Sequence, residues 1–405
     1  MAALLSLAGC GSGSDGPGEH QGPGFEQELA RGACYVDDAD FRRRELEDSL
    51  VNPDNAYSRL RLERYAESAW GSLPEWNPLT SAMGLGSSDP PADASAWSPL
   101  SIDDVPWQAD ALLKLGQEAF FRYPIQAFEP ARRVAESAAI APSYGFWADG
   151  SRLGGMVWTE FPSGALLPAY TCGACHASLE AGRVVAGKNN ADLDIDAATF
   201  DEISGGDRVT SSGREGRLDV TPDGIDNPTA IADLRAVRSQ RQLHRAATVE
   251  NGLIPLAIRI ETLIITSLAE SARPPRKLAF ALAWYLWNLE PEPQGAPPEL
   301  LSRGRQIFAG ECARCHEPPD FSGPSVPLDV VGTDRTVGES PDRFTGSYRV
   351  PSLRGVGDRR RLFANGAVFD LREVLDPSRT APGHAFGLGL EPEQRAELLA
   401  YLMTL

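Results

Sequence analysis

Cysteine, histidine and methionine are scarce in this chain: six, five and four among 405 residues. Basic charge is short as well, with 38 Lys and Arg against 56 Asp and Glu and a net charge of −18. That balance disfavours nucleic acid as a partner, because affinity for a polyanion rests on neutralising its phosphates. A long hydrophobic run is also missing. The most apolar stretch, LIPLAIRIETLIITSL at 253–268, is broken by Arg259 and Glu261 and reads as a core helix rather than a membrane span.

Against this scarcity, one unit occurs twice. TCGACHASL (171–179) and ECARCHEPP (311–319) share Cys-x-x-Cys-His. At these residue frequencies a shuffled chain is expected to show the unit about 0.001 times, so two copies demand a cause. The unit is the attachment site of c-type haem, in which two thiols form thioethers and the adjacent imidazole becomes the proximal iron ligand. Cys172, Cys175 and His176 are assigned to a first haem, and Cys312, Cys315 and His316 to a second. A shared zinc would want its Cys-x-x-Cys knuckles about 15–20 residues apart, and Cys175 and Cys312 are most of a domain apart. A thioredoxin-like pair needs no histidine there and belongs in a βαβ pattern that the sequence does not show.

Such haems are attached outside the bacterial cytoplasm, and the N-terminus reads the same way. MAALLSLAGCGSGSDGPG carries Leu7-Ala8-Gly9-Cys10, resembling the lipobox at which bacterial lipoproteins are cleaved and lipidated, followed by a Gly/Ser/Pro tether. The expectation is a periplasmic protein anchored to a membrane through Cys10. The acidic surface suits a basic redox partner by electrostatic steering, although solubility alone also explains it. Cys34 is left as a free thiol.

The expected fold is mainly α, with two cytochrome c-like haem domains in tandem and an irregular N-terminal extension. Residues 1–9 read as a signal-peptide remnant, 10–24 as a flexible tether and 25–109 as the extension. An expanded domain at 110–290 carries haem 1, and a smaller one at 299–405 carries haem 2. The Pro-rich EPEPQGAPPE (290–299) separates the domains. The repeat rests on three matches. KLGQEAFF (114–121) lies over SRGRQIFA (302–309), AWYLWNL (283–289) over LAYLMTL (399–405), and LRAVRSQRQLH (234–244) over LRGVGDRRRLF (353–363). Gly116 and Gly304 are expected where first and last helices cross, with Phe120 and Phe308 against Tyr285 and Tyr401. The insertion at 122–170, with SYGFW and GGMVWTEF, has no counterpart in the second domain.

From YRVPSLRGV (348–356) onward the chain resembles the di-haem cytochrome c peroxidase superfamily, in which a Thr/Val-Pro-Ser/Thr-Leu-Arg run follows the second haem motif. That group includes the di-haem enzyme that matures methylamine dehydrogenase and, more distantly, the bacterial rubber oxygenases. The resemblance covers roughly 110–405 and implies two covalent haems and a redox function. It departs where peroxidases of the family carry His-Asp/Asn-Gly, since Phe363-Ala364-Asn365-Gly366 stands here. REVLDP also lacks the methionine that commonly ligates their electron-accepting haem. The resemblance therefore implies the fold and two-haem layout more than the peroxidase reaction.

For the sixth ligand of haem 2, His384 in APGHAFGLGL (381–390) is favoured, because glycines let such a loop lie close to a porphyrin; Met403 is the rival. For haem 1, His244 is the nearby histidine, as ligand, distal hydrogen-bonding residue or structural residue, with Met156 as alternative. Met83 and His20 complete the candidates. Arg235 and Arg354 follow the repeated leucine and could pair with haem propionates, or lie solvated. Trp284 and Trp287 read as core, with an electron relay between haems as the other reading. Asp219, Asp223 and Gly224 stand as at the start of a calcium loop, but position twelve is Ala230. That stretch reads as a turn, calcium being the alternative. The function expected is one-electron transfer, with a peroxidase- or oxygenase-type oxidoreductase centred on haem 1 as runner-up.

Overall fold

The computed structural model describes residues 24–66, 69–205, 212–221 and 223–405. Cys10 and His20, and with them the signal, most of the tether and the lipid anchor, lie outside the described residues. The extension begins with two helices, α1 (Phe25–Asp37) and α2 (Ala39–Ser49). Asp38 starts the second by accepting the Phe41 amide at 3.0 Å. A strand β1 (Thr80–Gly84) follows, and then α3 (Ala109–Arg122). The insertion supplies β2 (Gln126–Ala127), β3 (Ala148–Asp149), β4 (Arg152–Glu160) and β5 (Leu166–Tyr170), and α4 (Cys172–His176) is the first haem motif. The first half ends with α5 (Leu253–Ser267) and α6 (Arg276–Trp287). The second half runs from α7 (Pro298–Glu311) through a ribbon of β6 (Gly323–Pro327) and β7 (Ser347–Val350) to α8 (Pro392–Leu402).

The extension is part of the first core rather than an irregular wrap. Tyr35, Phe41 and Leu46 of α1 and α2 are buried in one cluster with the apolar faces of α5 and α6. Glu261, which breaks the longest apolar run, is 0% exposed. Tyr35 and Tyr65 each donate to its Oε2 at 2.7 Å, and Arg276 donates to Oε1 at 3.1 Å. A carboxylate buried this deeply survives because three donors satisfy it. The same residue that forbids a membrane span thus ties the extension to the core.

The two halves share one helix crossing, built from equivalent residues. On α3, a Cβ added to Gly116 would collide with the Ala281 carbonyl of α6 and lie 2.7 Å from the Tyr285 Cβ. On α7, a Cβ at Gly304 would collide with the Glu397 carbonyl of α8 and lie 2.7 Å from the Tyr401 Cβ. Phe120 meets Tyr285 at 5.6 Å and 63°, and Phe308 meets Tyr401 at 5.4 Å and 60°. Only glycine lets the backbones approach this closely, and the aromatic pair fills the space beside it. The middle match is structural too. Leu243 bridges Val249 as Leu362 bridges Val368, and His244 and Phe363 both adopt left-handed φ, 61° and 66°.

The insertion makes the fold mixed rather than mainly α. Its strands join β1 of the extension in a five-stranded sheet, in the order β1-β4-β5-β2 with β3 on the edge of β4. Thr80 pairs with Thr159, and Met156 with Tyr170. The sheet is seated on the first motif. A Cβ at Gly155 (φ 68°) would collide with the Ala174 amide, and Trp147 Nε1 donates to the Gly173 carbonyl at 3.0 Å.

Candidate haem centres

In the second half, α7 delivers Cys312, and Cys315 and His316 follow within one turn. The chain then doubles back so closely that a Cβ on Gly323 would strike the Cys315 carbonyl. His316 Nδ1 lies 3.1 Å from the Phe321 carbonyl oxygen. A carbonyl can only accept, so Nδ1 carries the proton and Nε2 is left bare, the tautomer a metal-ligating histidine needs. Burial, and then the neighbouring His384, push its pKa down to about 4. The imidazole is neutral at physiological pH.

His316, Cys312 and Cys315 face a cavity enclosing about 1580 Å³ with its open mouth included, and His384 lines the same space. The His384 amide donates to the Val331 carbonyl at 2.6 Å. Gly383, at φ 78°, packs onto the Gly332 backbone with no room for a side chain. Phe363 and Phe386 flank the His384 ring at 5.8 and 5.4 Å. Its Nδ1 is buried with no partner among the described residues, and burial lowers its pKa. Met403 packs against Gly357 instead and does not line this cavity.

The cavity wall is apolar apart from a concentration of cations. In a chain of net charge −18, six arginines and only two acids among the described residues, Asp233 and Glu311, line it. Arg360 is paired with Asp192 at 2.9 Å, Arg361 with Glu215 at 3.3 Å, and Arg314 lies over Phe386. Arg245, Arg349 and Arg359 each keep a buried Nε with no hydrogen-bond partner among the described residues. Asp233 approaches Arg359 only to 3.9 Å. Burial, and after it Arg359, bring Arg245 down to about 10; burial and then Arg245 hold Arg349 well below its usual value. An apolar body with two carboxylates and two thioether attachments fits this wall. Haem has that chemistry: His316 would hold the iron on one face, with His384 presented from the wall.

The first motif is organised alike at its proximal side. Thr171 Oγ1 accepts the Gly173 amide at 3.3 Å and starts the turn. His176 Nδ1 donates to the Ala232 carbonyl at 2.8 Å, which again frees Nε2. Burial lowers the pKa of His176 and raises both Cys172 and Cys175 to about 12. All four motif cysteines are free of disulfides. Cys34 corrects the expectation of a free thiol, because it is disulfide-bonded.

Other predicted residues are placed away from these roles. Arg235 is held by Asp233 at 2.6 Å and Asp358 at 2.7 Å, and Arg354 donates to the Pro319 carbonyl at 2.9 Å; neither lines the cavity. His244 has both ring nitrogens engaged, Nδ1 with Thr248 Oγ1 and Nε2 by the Arg259 guanidinium. Burial first, then Arg259 and Arg61, hold its pKa well below the usual value. Met156 and Met83 are enclosed in the apolar core of the insertion. Trp284 donates to the Ala109 carbonyl at 3.2 Å within the first core, and Trp287 packs at its edge. In the calcium-like loop, Asp219 and Asp223 accept from Asn227 and Ile225 amides at 3.0 and 2.9 Å. The Arg343 guanidinium donates to Thr221 and Asn227 beside them. Both carboxylates accept protein donors across the stretch. Arg245, Arg349 and Arg359 were missed by sequence reasoning, since nothing in the order of residues marks a buried arginine.

Residues 301–405 match the cytochrome c family model. They form a cytochrome c domain. No curated protein matches the chain. Among solved structures, a MauG-like protein associated with microbial copper homeostasis is similar at 18% identity and a TM-score of 0.35, over 47% of this chain and 77% of that one. The hydrazine synthase of Kuenenia stuttgartiensis is similar at 15% identity and a TM-score of 0.39, over 78% of this chain and 98% of that one.

Proposed function

We propose that the chain is an exported di-haem c-type cytochrome that moves single electrons between two covalent haems and an external redox partner. The observation that carries this reading is the shared proximal architecture: two Cys-x-x-Cys-His units, each with its imidazole Nδ1–H committed to a backbone carbonyl. The repeated Gly–Tyr crossing supports a tandem of two cytochrome c-like domains, 110–290 and 299–405. His176 and His316 are the proximal ligands in this reading, and His384 is the sixth ligand of the C-terminal haem. Each haem supplies a one-electron couple. His176 would hold the first iron, His316 and His384 would hold the second, and the apolar wall of the C-terminal cavity would exclude water there. The acidic surface would steer a basic partner protein to the chain.

Intact mass under denaturing conditions tests the count. The native chain should exceed its polypeptide by two haems, and Cys312→Ser with Cys315→Ser should remove one. Zinc in place of haem iron, or one haem only, overturns the di-haem reading.

A second reading is favoured by one observation. With His244 bound to Thr248 and Arg259, the histidine expected on the distal face of the first haem is engaged elsewhere. A first centre open on one face can react, so this arrangement favours an oxidoreductase of the peroxidase or oxygenase type, with the C-terminal haem as electron relay. The spectrum of the oxidised protein separates the two: a high-spin signal lost on peroxide addition supports the enzyme.

A further inference from the structure

The C-terminal cavity is not closed by its own half. Asn189, Ile231, Asp233, Gln240 and Arg245, all from the first half, form part of its wall. Arg245 is the cation among them, and it sits at a junction. Its Nη2 donates to the Ala230 carbonyl at 3.3 Å, and its own carbonyl accepts the Arg349 amide at 3.0 Å. Two residues beyond Ala230, the Ala232 carbonyl takes the Nδ1–H of His176. One short segment of the first half therefore touches the Arg245 guanidinium and also fixes the proximal ligand of the first centre.

We propose that Arg245 is a cross-domain clamp for the carboxylates of the haem in the C-terminal cavity, acting with Arg349 and Arg359, and that through it the first half sets the reduction potential of the second centre. This rests on the haem reading of that cavity. Charge balance carries the argument. Three deeply placed guanidinium groups with orphaned Nε atoms have little acid beside them among the described residues: Asp233 near Arg245 and Arg359, Asp358 also near Arg359, and arginines as the charged neighbours of Arg349. Both acids are already committed to Arg235, at 2.6 and 2.7 Å. A neutral occupant would leave that charge uncompensated, at a cost of several kcal/mol per ion. Two carboxylates supply the counter-charge, and a planar fork on a carboxylate is the strong form of such a contact. Arg235 cannot substitute, since it is held between Asp233 and Asp358. Arg245 is a positioning residue in this scheme. Its positive charge offsets that of the carboxylates, which would otherwise favour ferric iron.

The test compares Arg245→Gln and Arg245→Lys in the full haem-loaded protein by spectroelectrochemical titration, with the C-terminal centre assigned by its loss in the Cys312→Ser, Cys315→Ser variant. In Arg245→Gln that centre should become harder to reduce by roughly tenfold in its one-electron equilibrium, about 59 mV. Arg245→Lys should recover most of the shift, and the resonance Raman propionate-bending band should move in both variants. Arg183→Gln, whose exposed arginine is paired with Glu292 at 2.8 Å and does not line the cavity, should leave the potential in place. Mass must still show two haems; a missing haem at Cys312 in the native chain defeats the haem reading itself and the clamp with it. Two haems with a titration curve and Raman band unchanged in Arg245→Gln overturn the clamp alone. Should Arg245→Gln not accumulate, an unmoved Raman band in Arg245→Lys does the same.

Discussion

The two halves agree where their helices cross and differ around their Cys-x-x-Cys-His units. Gly116 and Gly304 meet their partner helices through equivalent contacts, and His176 and His316 each rest Nδ1 on a backbone carbonyl. On the other side of the motif the likeness ends. The second half presents His384 from a glycine-bearing loop into an open cavity, whereas the first is covered by a five-stranded sheet and places His244 among arginines. A helix crossing tolerates little change because any added atom collides. Loops and insertions carry few such constraints and are free to set what each centre can bind.

The largest effect that could break this comparison is at the crossings. Gly304→Val and Gly116→Val each force a branched side chain into a neighbouring carbonyl. Each should cost about 3 kcal/mol or more, by the logic of overpacking. Thermal unfolding should show a lowered midpoint of similar size in both. A large loss in one and none in the other would mean that the shared geometry does not bear equal weight.

A smaller but sharper difference concerns His384. Replacing it by Ala should convert the C-terminal centre to high-spin or let it take up added imidazole, while the first centre keeps its optical spectrum. An unaltered spectrum would mean that His384 only lines the cavity, and the contrast between the halves would lose its chemical content.

The sequence made some of this legible and hid the rest for physical reasons. Gly116, Phe120 and Tyr285 could be aligned with Gly304, Phe308 and Tyr401 because a helix crossing is written in short, regular spacing. His384 could be picked out because a Gly-rich loop before a terminal helix has few other uses. The sheet was not visible: its central strand β4 pairs on one side with β1, far away in sequence and inside a segment that reads as an irregular wrap. Burial of Arg245, Arg349 and Arg359 was hidden too, because arginine is ordinarily a surface residue and only the folded cavity shows that their charge lacks an answer. Arg235 and Arg354 drew attention by their repeated position, yet position in a repeat says nothing about whether a carboxylate such as Asp358 already holds the side chain.

The smallest effect distinguishes His244 from its counterpart Phe363. Surrounded by Arg259, Arg61, Arg349 and Arg343, and desolvated, His244 stays neutral in the folded protein well below its ordinary pKa of 6.5. The unfolded chain takes up a proton near 6.5 and the folded one does not. The unfolded state thus binds more protons below that value, and stability falls as pH drops through it. Between pH 7.5 and 5.5 this one residue should remove about 1.4 kcal/mol, since each pH unit of differential protonation is worth about that much. His244→Phe, which borrows the residue found at the matching position of the second half, cannot titrate. Urea unfolding at the two pH values should therefore show a smaller acid-induced loss in His244→Phe than in the native chain. Equal losses in the two would mean that His244 is protonated in the folded state, which requires an anion among those arginines and would make this pocket resemble the C-terminal cavity more than the present contrast allows.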